Sequence, residues 1–539
     1  MSCAVKRRTV LQGIAGATTL MGSTLFTSGI RAEEGWDAGQ VAHVLPTVSD
    51  RELLLKVSFR DALGAAPRLR VGGSIVEGRK SDTAGRFWRF HASELAPGTS
   101  HRLELVDGAG KLMADPWSIR TAPAPDAEAR SVRLLVFTCA GGDDRLAMKD
   151  GTRMFLSVRE RRELLKRGLS FDPDAVIAIG DHVYWDQESG KLRAFSREAF
   201  LELYKTTGTL DHAKPAIGTS NEDSLIKVGE AQIASLYGGL LRSTPVYMLT
   251  DDHDLFENDD ATDTLMTFPP EQFMFDFARA TQRLFYPEFL GDGARPSFLP
   301  GVGVFGDAPT LSESFGTLRW GKLLELLLYD TKRYADLKGP TARMAPAHVE
   351  AWLLDRTKAA DTRQLIHIPS GPIGWAAGKW LEWYPDVLQA DGSLGIEKTK
   401  PYWQPGWWSQ HQRLLAALHG NRDRAPVVVS GDLHASMAGA LRRSGSMDLR
   451  GNPVNLLCAG TLGSGPMAFP SFARGTGPQR SSQLDVAEAL PPTEKNGFTI
   501  LDVTPDSIGV RMFAWRPPEP FEAIRNLQPI HSAVIQRAA

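Results

Sequence analysis

The sequence predicts an α/β chain in two parts, a small all-β domain followed by a larger layered domain of strands and helices. Three observations support this fold class. At 539 residues the chain is too long for one compact core. Residues 43–120 alternate short strand-like segments with Gly, Pro and Asp turns. Beyond residue 130, wholly apolar strands alternate with amphipathic helices, a pattern typical of a sheet whose two faces are both covered.

The first 32 residues have the pattern of a targeting segment. Arg7 and Arg8 precede a mildly apolar run at residues 10–26, which predicts a twin-arginine export signal cleaved after Ala32. The alternative is a membrane anchor, but the run contains Gln, Ser, Thr and Gly and is too polar to cross a bilayer well. We therefore expect a periplasmic or secreted protein that is exported by the twin-arginine machinery and has no stable membrane span in its mature form.

Residues 40–122 are predicted to form a small β-sandwich of fibronectin or immunoglobulin type. Its strand-like segments are "ELLLKVSF", "RLRVGG", "RFWRFHA" and "HRLELVDGAGK". They contain no cluster of Asp, His or Cys, so we interpret this domain as structural, without a catalytic or metal-binding site. The Pro- and Ala-rich stretch "TAPAPDAEA", residues 121–129, predicts the boundary with the larger domain, residues 130–516. Residues 517–539 are interpreted as a C-terminal tail.

The larger domain is predicted from its alternation of strands and helices. Its predicted strands are "SVRLLVFTCAGG", "DAVIAIGDH", "PVYMLTDDHD", "LLELLLYD", "QLIHIPSG", "APVVVSGDLH" and "NPVNLLCAGT". Its predicted helices are "MFLSVRERRELLKRG", "ASLYGGLLRS", "HVEAWLLDRTKAA" and "SQHQRLLAALHG". In layered α/β sheets ligands collect at the carboxyl ends of the strands, so those ends are where function is expected.

Four of these strands end in groups that bind cations or move protons. The residues concerned are Cys139 on the first, Asp181, His182 and Tyr184 on the second, Asp251, Asp252, His253 and Asp254 on the third, and Asp432 and His434 on a late one. One polar strand end is ordinary, but four of one type predict a single convergent site. Carboxylates gathered so closely repel one another and stay protonated unless a cation lies among them.

The residue types narrow the kind of site. Asp, His, Tyr and Cys form a mixed hard and soft ligand set, which fits an iron-type centre beside a harder divalent ion better than structural zinc. The spacings are not those of a zinc finger, an EF-hand, an HExxH helix or a Walker A loop. A formal net charge of −2 argues against a large nucleic-acid-binding surface.

"GDHVY", "DDHD" and "SGDLH", in that order behind a twin-arginine pattern and a small β-domain, resemble the PhoD-type alkaline phosphatases of the calcineurin-like metallophosphoesterase superfamily. The resemblance covers residues 131–516. It implies a metallophosphoesterase β-sandwich flanked by helices. It also implies an exported, metal-dependent hydrolase of phosphoric monoesters or diesters, with Fe3+ and Ca2+ as the metals.

The resemblance also assigns roles to individual residues. Cys139 corresponds to an iron ligand, Asp181 to the carboxylate that bridges both metals, and Tyr184 to the tyrosine ligand of ferric iron. Asp252 corresponds to a ligand of the second metal, and His253 to the histidine that faces the substrate. Asp432 and His434 occupy the G-H-x-H block, with Asp in place of its first His.

The chain departs from the family pattern at three points. Asp254 stands where the family usually has Glu, and Lys332 stands where Arg is common. The latter weakens any bidentate phosphate clamp at that position. The N-terminal domain also lacks the Gly-Asp-Pro opening of close PhoD relatives.

With these ligands we expect a dinuclear metal site and a metal-bound hydroxide that attacks phosphorus in line, while His253 protonates the departing alkoxide. Two other functional classes stay open. The domain could be a catalytically inactive binding module that keeps the fold, or Cys139 could be the nucleophile of a cysteine hydrolase.

Several further residues are interpreted as structural. In the exported chain Cys139 and Cys458 could form one disulfide, and Cys458 alone is interpreted as core. His182 and Asp251 are interpreted as supporting residues, and His367 as a structural histidine in preference to a ligand. Six tryptophans at residues 375–408 favour a local hydrophobic core over an aromatic wall for substrate.

Overall fold

The protein is described by a computed structural model that covers residues 35–147, 151–186, 208–256, 271–398 and 400–536. The predicted export signal, residues 1–32, lies outside the described residues. Among the helices within those ranges, none combines the length and the apolar character that a bilayer crossing requires.

The N-terminal region contains two four-stranded antiparallel sheets. The strands are β1 (Val41–Val48), β2 (Leu53–Phe59), β3 (Arg68–Val71), β4 (Ser74–Glu77), β5 (Arg79–Lys80), β6 (Phe87–Ala92), β7 (Ser100–Val106) and β8 (Trp117–Arg120). One sheet has the order β1-β2-β6-β5 and the other β4-β3-β7-β8. Alternate side chains of both sheets share one apolar cluster, for example Val57 of β2 and Leu103 of β7. The immunoglobulin or fibronectin assignment of this region stays a prediction.

Two larger sheets contain most of the strands described beyond residue 130. The first has the order β11-β10-β9-β24-β25-β26 and the second β12-β13-β14-β18-β21-β19-β20, with β23 paired to β19. The strands of the first are β9 (Val132–Thr138), β10 (Ala175–Ile179), β11 (Val246–Leu249), β24 (Asn496–Val503), β25 (Ile508–Trp515) and β26 (Pro529–Ile535). Those of the second are β12 (Phe315–Trp320), β13 (Leu324–Tyr329), β14 (Gln364–Pro369), β18 (Val427–Ser430), β19 (Ser436–Ser444), β20 (Met447–Asp448), β21 (Val454–Cys458) and β23 (Leu484–Thr493). The short strands β15 (Trp375–Ala376) and β22 (Gln479–Arg480) pair with each other, as do β16 (Val387–Leu388) and β17 (Leu394–Gly395).

The two larger sheets pack face to face and are covered by helices on their outer faces. Leu134 and Val136 of β9 share an apolar cluster with Leu326 of β13 and Val429 of β18, which places that cluster between the sheets. The alternate residues of β9, Leu135 and Phe137, belong to the cluster that contains the helices on the outer face. Because residues 134–137 of β9 are buried on one face or the other, this stretch is wholly apolar, and the predicted layered α/β architecture is confirmed.

The main helices are α1 (Val158–Leu169), α2 (Ser220–Gly229) and α3 (Gln272–Phe285) on the first sheet, and α4 (Ala347–Lys358) and α5 (Pro405–Gly420) on the second. Shorter helical turns are Glu230–Ala234, Ser235–Tyr237, His253–Leu255, Gly339–Thr341, Pro466–Ala468, Pro470–Ala473 and Phe521–Asn526. Helix α1 begins with a capping box, in which Ser157 and Glu160 bond each other's backbone N–H groups.

Two sequence interpretations differ in detail from the structure. The predicted helix at residues 234–243 ends at Tyr237, because Gly238 adopts a positive φ of 48° and turns the chain. The first large sheet continues beyond residue 516, since β26 pairs antiparallel with β25 within the segment interpreted as a tail.

The N-terminal region is joined to the larger domain by buried polar contacts. Lys56 Nζ donates to Glu288 Oε1 at 2.7 Å, and both side chains are fully buried. His43 Nε2 lies 2.7 Å from the Phe285 carbonyl oxygen, and the Tyr247 hydroxyl donates to the Val48 carbonyl at 2.6 Å. Since Tyr247 belongs to β11, the N-terminal region packs directly on a strand that leads to the candidate site.

Candidate metal centre and active site

The carboxyl ends of β9, β10, β11 and β18 meet at one place between the two large sheets. β9, β10 and β11 are parallel neighbours in the first sheet, and β18 is a parallel strand of the second. Directly after these ends Cys139, Asp181, Asp432 and His434 have φ values of 49°, 57°, 73° and 50°. Non-glycine residues in this left-handed region cost about 1–3 kcal/mol each and persist where the surroundings impose them. The local backbone is therefore bent to direct these side chains to a common point.

Among the residues that the structure describes, three groups of side chains could each hold a metal ion. They are Cys139, Asp181 and His434; Asp181, Asp252 and His253; and Asp181, Asp251, Asp252 and Asp432. Within each group the potential ligand atoms lie within 4.8 Å of one another, and every member is buried. Asp181 belongs to all three groups, so it lies where two cation positions would meet.

The first group contains the soft ligand. Cys139 Sγ lies 3.2 Å from Asp181 Oδ2 and is fully buried. Burial raises the pKa of the Cys139 thiol well above its ordinary value, and the neighbouring Asp181 carboxylate raises it further. On the other side, His434 Nδ1 lies 2.7 Å from the Ala468 carbonyl oxygen and therefore carries the proton that Nδ1 donates to it. This tautomer leaves Nε2 with the lone pair that a metal would require.

Tyr184 stands beside this group. Its ring centroid lies 4.2 Å from that of His253, and its backbone N–H donates to Gln232 Oε1 at 2.9 Å. Its hydroxyl is buried and has no hydrogen-bond partner in the described protein. Burial raises the pKa of this phenol well above its ordinary value, and the Asp181 carboxylate adds to the effect.

The unpartnered oxygen atoms fit a bound cation. Asp181 Oδ1, Asp252 Oδ1, both carboxylate oxygens of Asp251 and the Tyr184 hydroxyl are buried without a hydrogen-bond partner among the described residues. Burial raises the pKa of Asp181 well above its ordinary range, and the carboxylates of Asp252 and Asp432 also act to raise it. Buried polar atoms without partners cost free energy, and a cation among them would supply the missing interaction.

Two lysines lie among the acids, and sequence reasoning did not find one of them. Lys379 Nζ donates to Asp432 Oδ1 at 2.6 Å and to Asp252 Oδ2 at 2.9 Å. Lys332 Nζ lies 3.5 Å from Asp432 Oδ2 and 3.9 Å from Asp251 Oδ1. Burial opposes ionisation of Asp432, but the two ammonium groups outweigh it and lower the pKa of Asp432 below its ordinary value. No motif surrounds Lys379 in the sequence, which is why it was missed.

His253 is held by an acid that sequence reasoning also missed. Its Nδ1 lies 2.8 Å from Asp186 Oδ1, and both side chains are nearly fully buried. Burial alone would lower the pKa of His253, but the carboxylates of Asp186 and Asp181 outweigh it and raise that pKa well above its ordinary value. The Asp186 contact at Nδ1 leaves Nε2 on the side of the ring that faces away from Asp186.

Asp254 has a structural role at the centre of the site. Its Oδ1 accepts hydrogen bonds from the N–H groups of His182 and Val183 at 2.9 and 3.0 Å. Its Oδ2 accepts from the N–H groups of Asp181 and Asp251 at 2.9 and 3.0 Å. One carboxylate thus joins the loop after β10 to the loop after β11.

The remaining candidates are placed as follows. His182 Nε2 lies 2.7 Å from the Leu249 carbonyl oxygen, and His367 lies 2.9 Å from the Thr357 hydroxyl, so both imidazoles have structural partners and belong to none of the three groups. Cys458 is buried, and it and Cys139 are both free thiols. Asp251, interpreted from sequence as a supporting residue, belongs to one of the groups. The fully buried tryptophans of the insertion, Trp375, Trp380, Trp383 and Trp407, belong to the apolar cluster on the outer face of the second sheet.

The structure therefore brings together the predicted residues Cys139, Asp181, Asp252, His253, Asp432 and His434, with Tyr184 against them. Sequence reasoning missed Lys379 and Asp186. The signal for Asp186 was available, because it follows Tyr184 by two residues in the same strand-end segment.

Comparison with solved structures gives the fold a context. The chain is similar to a structure of PhoD, with a TM-score of 0.56 and 13% identity, over 96% of this chain and 92% of that one. It is also similar to purple acid phosphatase PPD1 from yellow lupin (Lupinus luteus) seeds, with a TM-score of 0.52 and 12% identity, over 92% of this chain and 74% of that one. No protein-family model and no curated protein sequence matches the chain. The chain therefore shares its fold with PhoD and with a purple acid phosphatase, and the predicted resemblance is confirmed at the level of the fold.

Proposed function

We propose that the protein is an exported, metal-dependent phosphoric ester hydrolase of the alkaline phosphatase D type. The observation that carries this proposal is the convergence of Cys139, Asp181 and His434 within 4.8 Å, beside an unpartnered Tyr184 hydroxyl. Unpartnered buried oxygens at the carboxyl ends of strands, in a fold similar to PhoD and a purple acid phosphatase, are what a metallophosphoesterase requires.

The residues divide into two metal positions that share Asp181. Cys139, Tyr184, His434 and Asp181 would hold the first ion, and the soft and phenolic ligands favour iron there. Asp181, Asp251, Asp252 and Asp432 would hold the second, and an all-oxygen set favours a hard ion such as calcium. Cations bound at these positions would activate a water for attack on phosphorus and neutralise charge on the phosphoryl oxygens.

The general acid is His253. Asp186 fixes its ring by accepting from Nδ1 and stabilises the protonated imidazole, so that Nε2–H is available to the alkoxide that leaves phosphorus. Because His253 is 5% exposed, the proton passes to the ester oxygen with little competition from bulk water.

A binding module that keeps the fold but lacks activity is the second candidate, since the buried lysine–carboxylate contacts of Lys379 would also stabilise a site without metal. The cysteine-hydrolase alternative is disfavoured, because Cys139 is buried next to a carboxylate and its pKa is raised, which opposes a thiolate nucleophile.

The experiment measures hydrolysis of 4-nitrophenyl phosphate and bis(4-nitrophenyl) phosphate by the purified chain before and after chelator treatment, and after addition of iron and calcium. We expect activity that the chelator removes and the metals restore. Asp181→Asn should be inactive under every condition, because it lacks the shared carboxylate. A folded, metal-loaded chain that hydrolyses neither ester would contradict the proposal and favour the binding module. Loss of activity with thiol reagents but not with chelators would favour the cysteine hydrolase.

Export through the twin-arginine pathway belongs to the same proposal and rests on Arg7 and Arg8. Replacing both with Lys should retain the full-length precursor in the cytoplasm, as measured by cell fractionation. Unchanged export would contradict this part alone.

A further inference from the structure

We propose that the Lys379 ammonium group occupies the second metal position, and that a metal ion binds there only by displacing this ammonium group. This inference rests on the metal positions of the proposed function but not on the hydrolytic reaction. It predicts that the Lys379 ammonium group lowers the affinity of the second position for a metal ion.

The contacts of Lys379 carry the inference. Its Nζ lies 2.6 Å from Asp432 Oδ1 and 2.9 Å from Asp252 Oδ2. Both carboxylates belong to the group of four acids that forms the second position. A divalent ion held by these two carboxylates would lie within a few ångströms of the ammonium, in a buried environment where like charges repel strongly. The ammonium and the ion therefore compete for the same oxygens.

At the first position, two ligand oxygens have no hydrogen-bond partner among the described residues. Asp181 Oδ1 is buried without a hydrogen-bond partner in the described chain, and the Tyr184 hydroxyl is in the same condition. At the second position, by contrast, Asp252 and Asp432 already have a positive partner, and Lys332 adds a second ammonium 3.5 Å from Asp432. Lys379 and Lys332 thus supply positive charge to Asp252 and Asp432, while both oxygens of Asp251 have no hydrogen-bond partner among the described residues and are left as ligand atoms for an ion.

The backbone holds Lys379 in this position. Gly378, the residue before it, has a φ of 79°, and a Cβ there would lie 3.4 Å from the backbone nitrogen of Leu388. Trp380, the residue after it, is 2% exposed and packs in the apolar cluster on the outer face of the second sheet. Lys379 is itself 5% exposed, so its ammonium is fixed between the carboxylates rather than exchanging with solvent.

The test measures Ca2+ binding to the chelator-treated chain by equilibrium dialysis with metal analysis. Ca2+ alone is the probe, because an all-oxygen position accepts it and a Cys–His position suits it poorly. Lys379→Met removes the charge and nearly preserves the side-chain volume. We expect Lys379→Met to bind one Ca2+ about tenfold or more tightly than the unchanged chain. Lys379→Arg, which keeps the charge, should bind as weakly as the unchanged chain.

The matched control is Lys400→Met. Lys400 is a buried lysine of the same insertion, and it donates to Glu382 Oε2 at 3.0 Å instead of to the acids of the site. This variant should show the Ca2+ affinity of the unchanged chain. If Lys379→Met does not fold, Lys379→Gln removes the charge with a hydrogen-bonding side chain, and thermal unfolding establishes that each variant is folded.

Equal Ca2+ affinity in the unchanged chain and in the folded Lys379→Met or Lys379→Gln variant would overturn the inference. Absence of Ca2+ binding in every variant would also overturn it. These outcomes are separate from failure of the proposed function, because an active phosphatase with two equally tight positions would refute only the role of Lys379. An inactive chain that gains Ca2+ affinity on loss of Lys379 would refute only the hydrolysis.

Discussion

Replacing Asp254 with Asn should destabilise the protein and disrupt its metal positions. The Asp254 carboxylate accepts four backbone hydrogen bonds, two on each oxygen. An Asn side chain has one carbonyl oxygen, so its NH2 group would face two N–H donors that have lost their acceptor. A hydrogen bond to a charged group contributes about 1.5–3 kcal/mol, so two lost bonds correspond to a loss of about 3–6 kcal/mol in the free energy of unfolding.

Urea denaturation followed by tryptophan fluorescence measures this loss, since the chain contains 13 tryptophans. The matched control is Asp82→Asn in the N-terminal region, where a buried carboxylate accepts from the backbone N–H groups of Gly85, Arg86 and Phe87. Both variants should be destabilised, but only Asp254→Asn should lower the metal content of the folded protein. A loss below about 1 kcal/mol for Asp254→Asn would refute the conclusion that the charged Asp254 carboxylate strengthens these four hydrogen bonds.

Three further outcomes follow from the site and the core. His253→Gln should retain bound metal and lose about a hundredfold or more in turnover, with the largest loss on esters of poorly acidic alcohols; equal loss on nitrophenyl and alkyl esters would refute the general-acid role. Cys139→Ser should lower iron content in metal analysis of the folded protein, and an unchanged iron content would remove Cys139 from the first position. Burial lowers the pKa of His411 to about 3 from an ordinary 6.5, so the unfolded chain binds a proton between those pH values that the folded chain does not. Stability is therefore lost as pH falls from about 6.5 to 3, by up to about 1.4 kcal/mol per pH unit. His411→Phe should reduce this slope in urea denaturation at a series of pH values, and an unchanged slope would contradict the assignment.

The location of the site was predictable from sequence because it depends on one general rule. Parallel strands place their carboxyl ends at one edge, so Asp181, Asp252 and Asp432 could be expected to meet although 251 residues separate the first from the last. The apolar runs before them are unambiguous, since the strands are buried on both faces. In the structure, successive apolar residues of β9 belong alternately to two apolar clusters, one on each face of the sheet.

What could not be predicted depends on long-range packing without a local signal. Lys379 lies in an irregular insertion between two short strands, and no neighbouring residue in the sequence distinguishes it from a solvent-exposed lysine. Helix α3 was not predicted, although its buried residues Met274, Phe277 and Ala278 recur at helical spacing. Strand β26 was not predicted because its side chains are largely exposed. The residue-by-residue metal roles came from family resemblance, and they stay predictions.

The pairing of β9 with β24 also constrains when the centre is completed during synthesis. Residues 132–136 of β9 bond antiparallel to residues 499–503, near the end of the chain. The Cys139 carbonyl oxygen also accepts from the Gly463 N–H at 3.0 Å and from the Thr461 hydroxyl at 3.3 Å. The ribosome must therefore translate residues 499–503 before β9 has both of its neighbouring strands. A metal centre built on Cys139 would therefore be complete only after residues 461–503 have been translated.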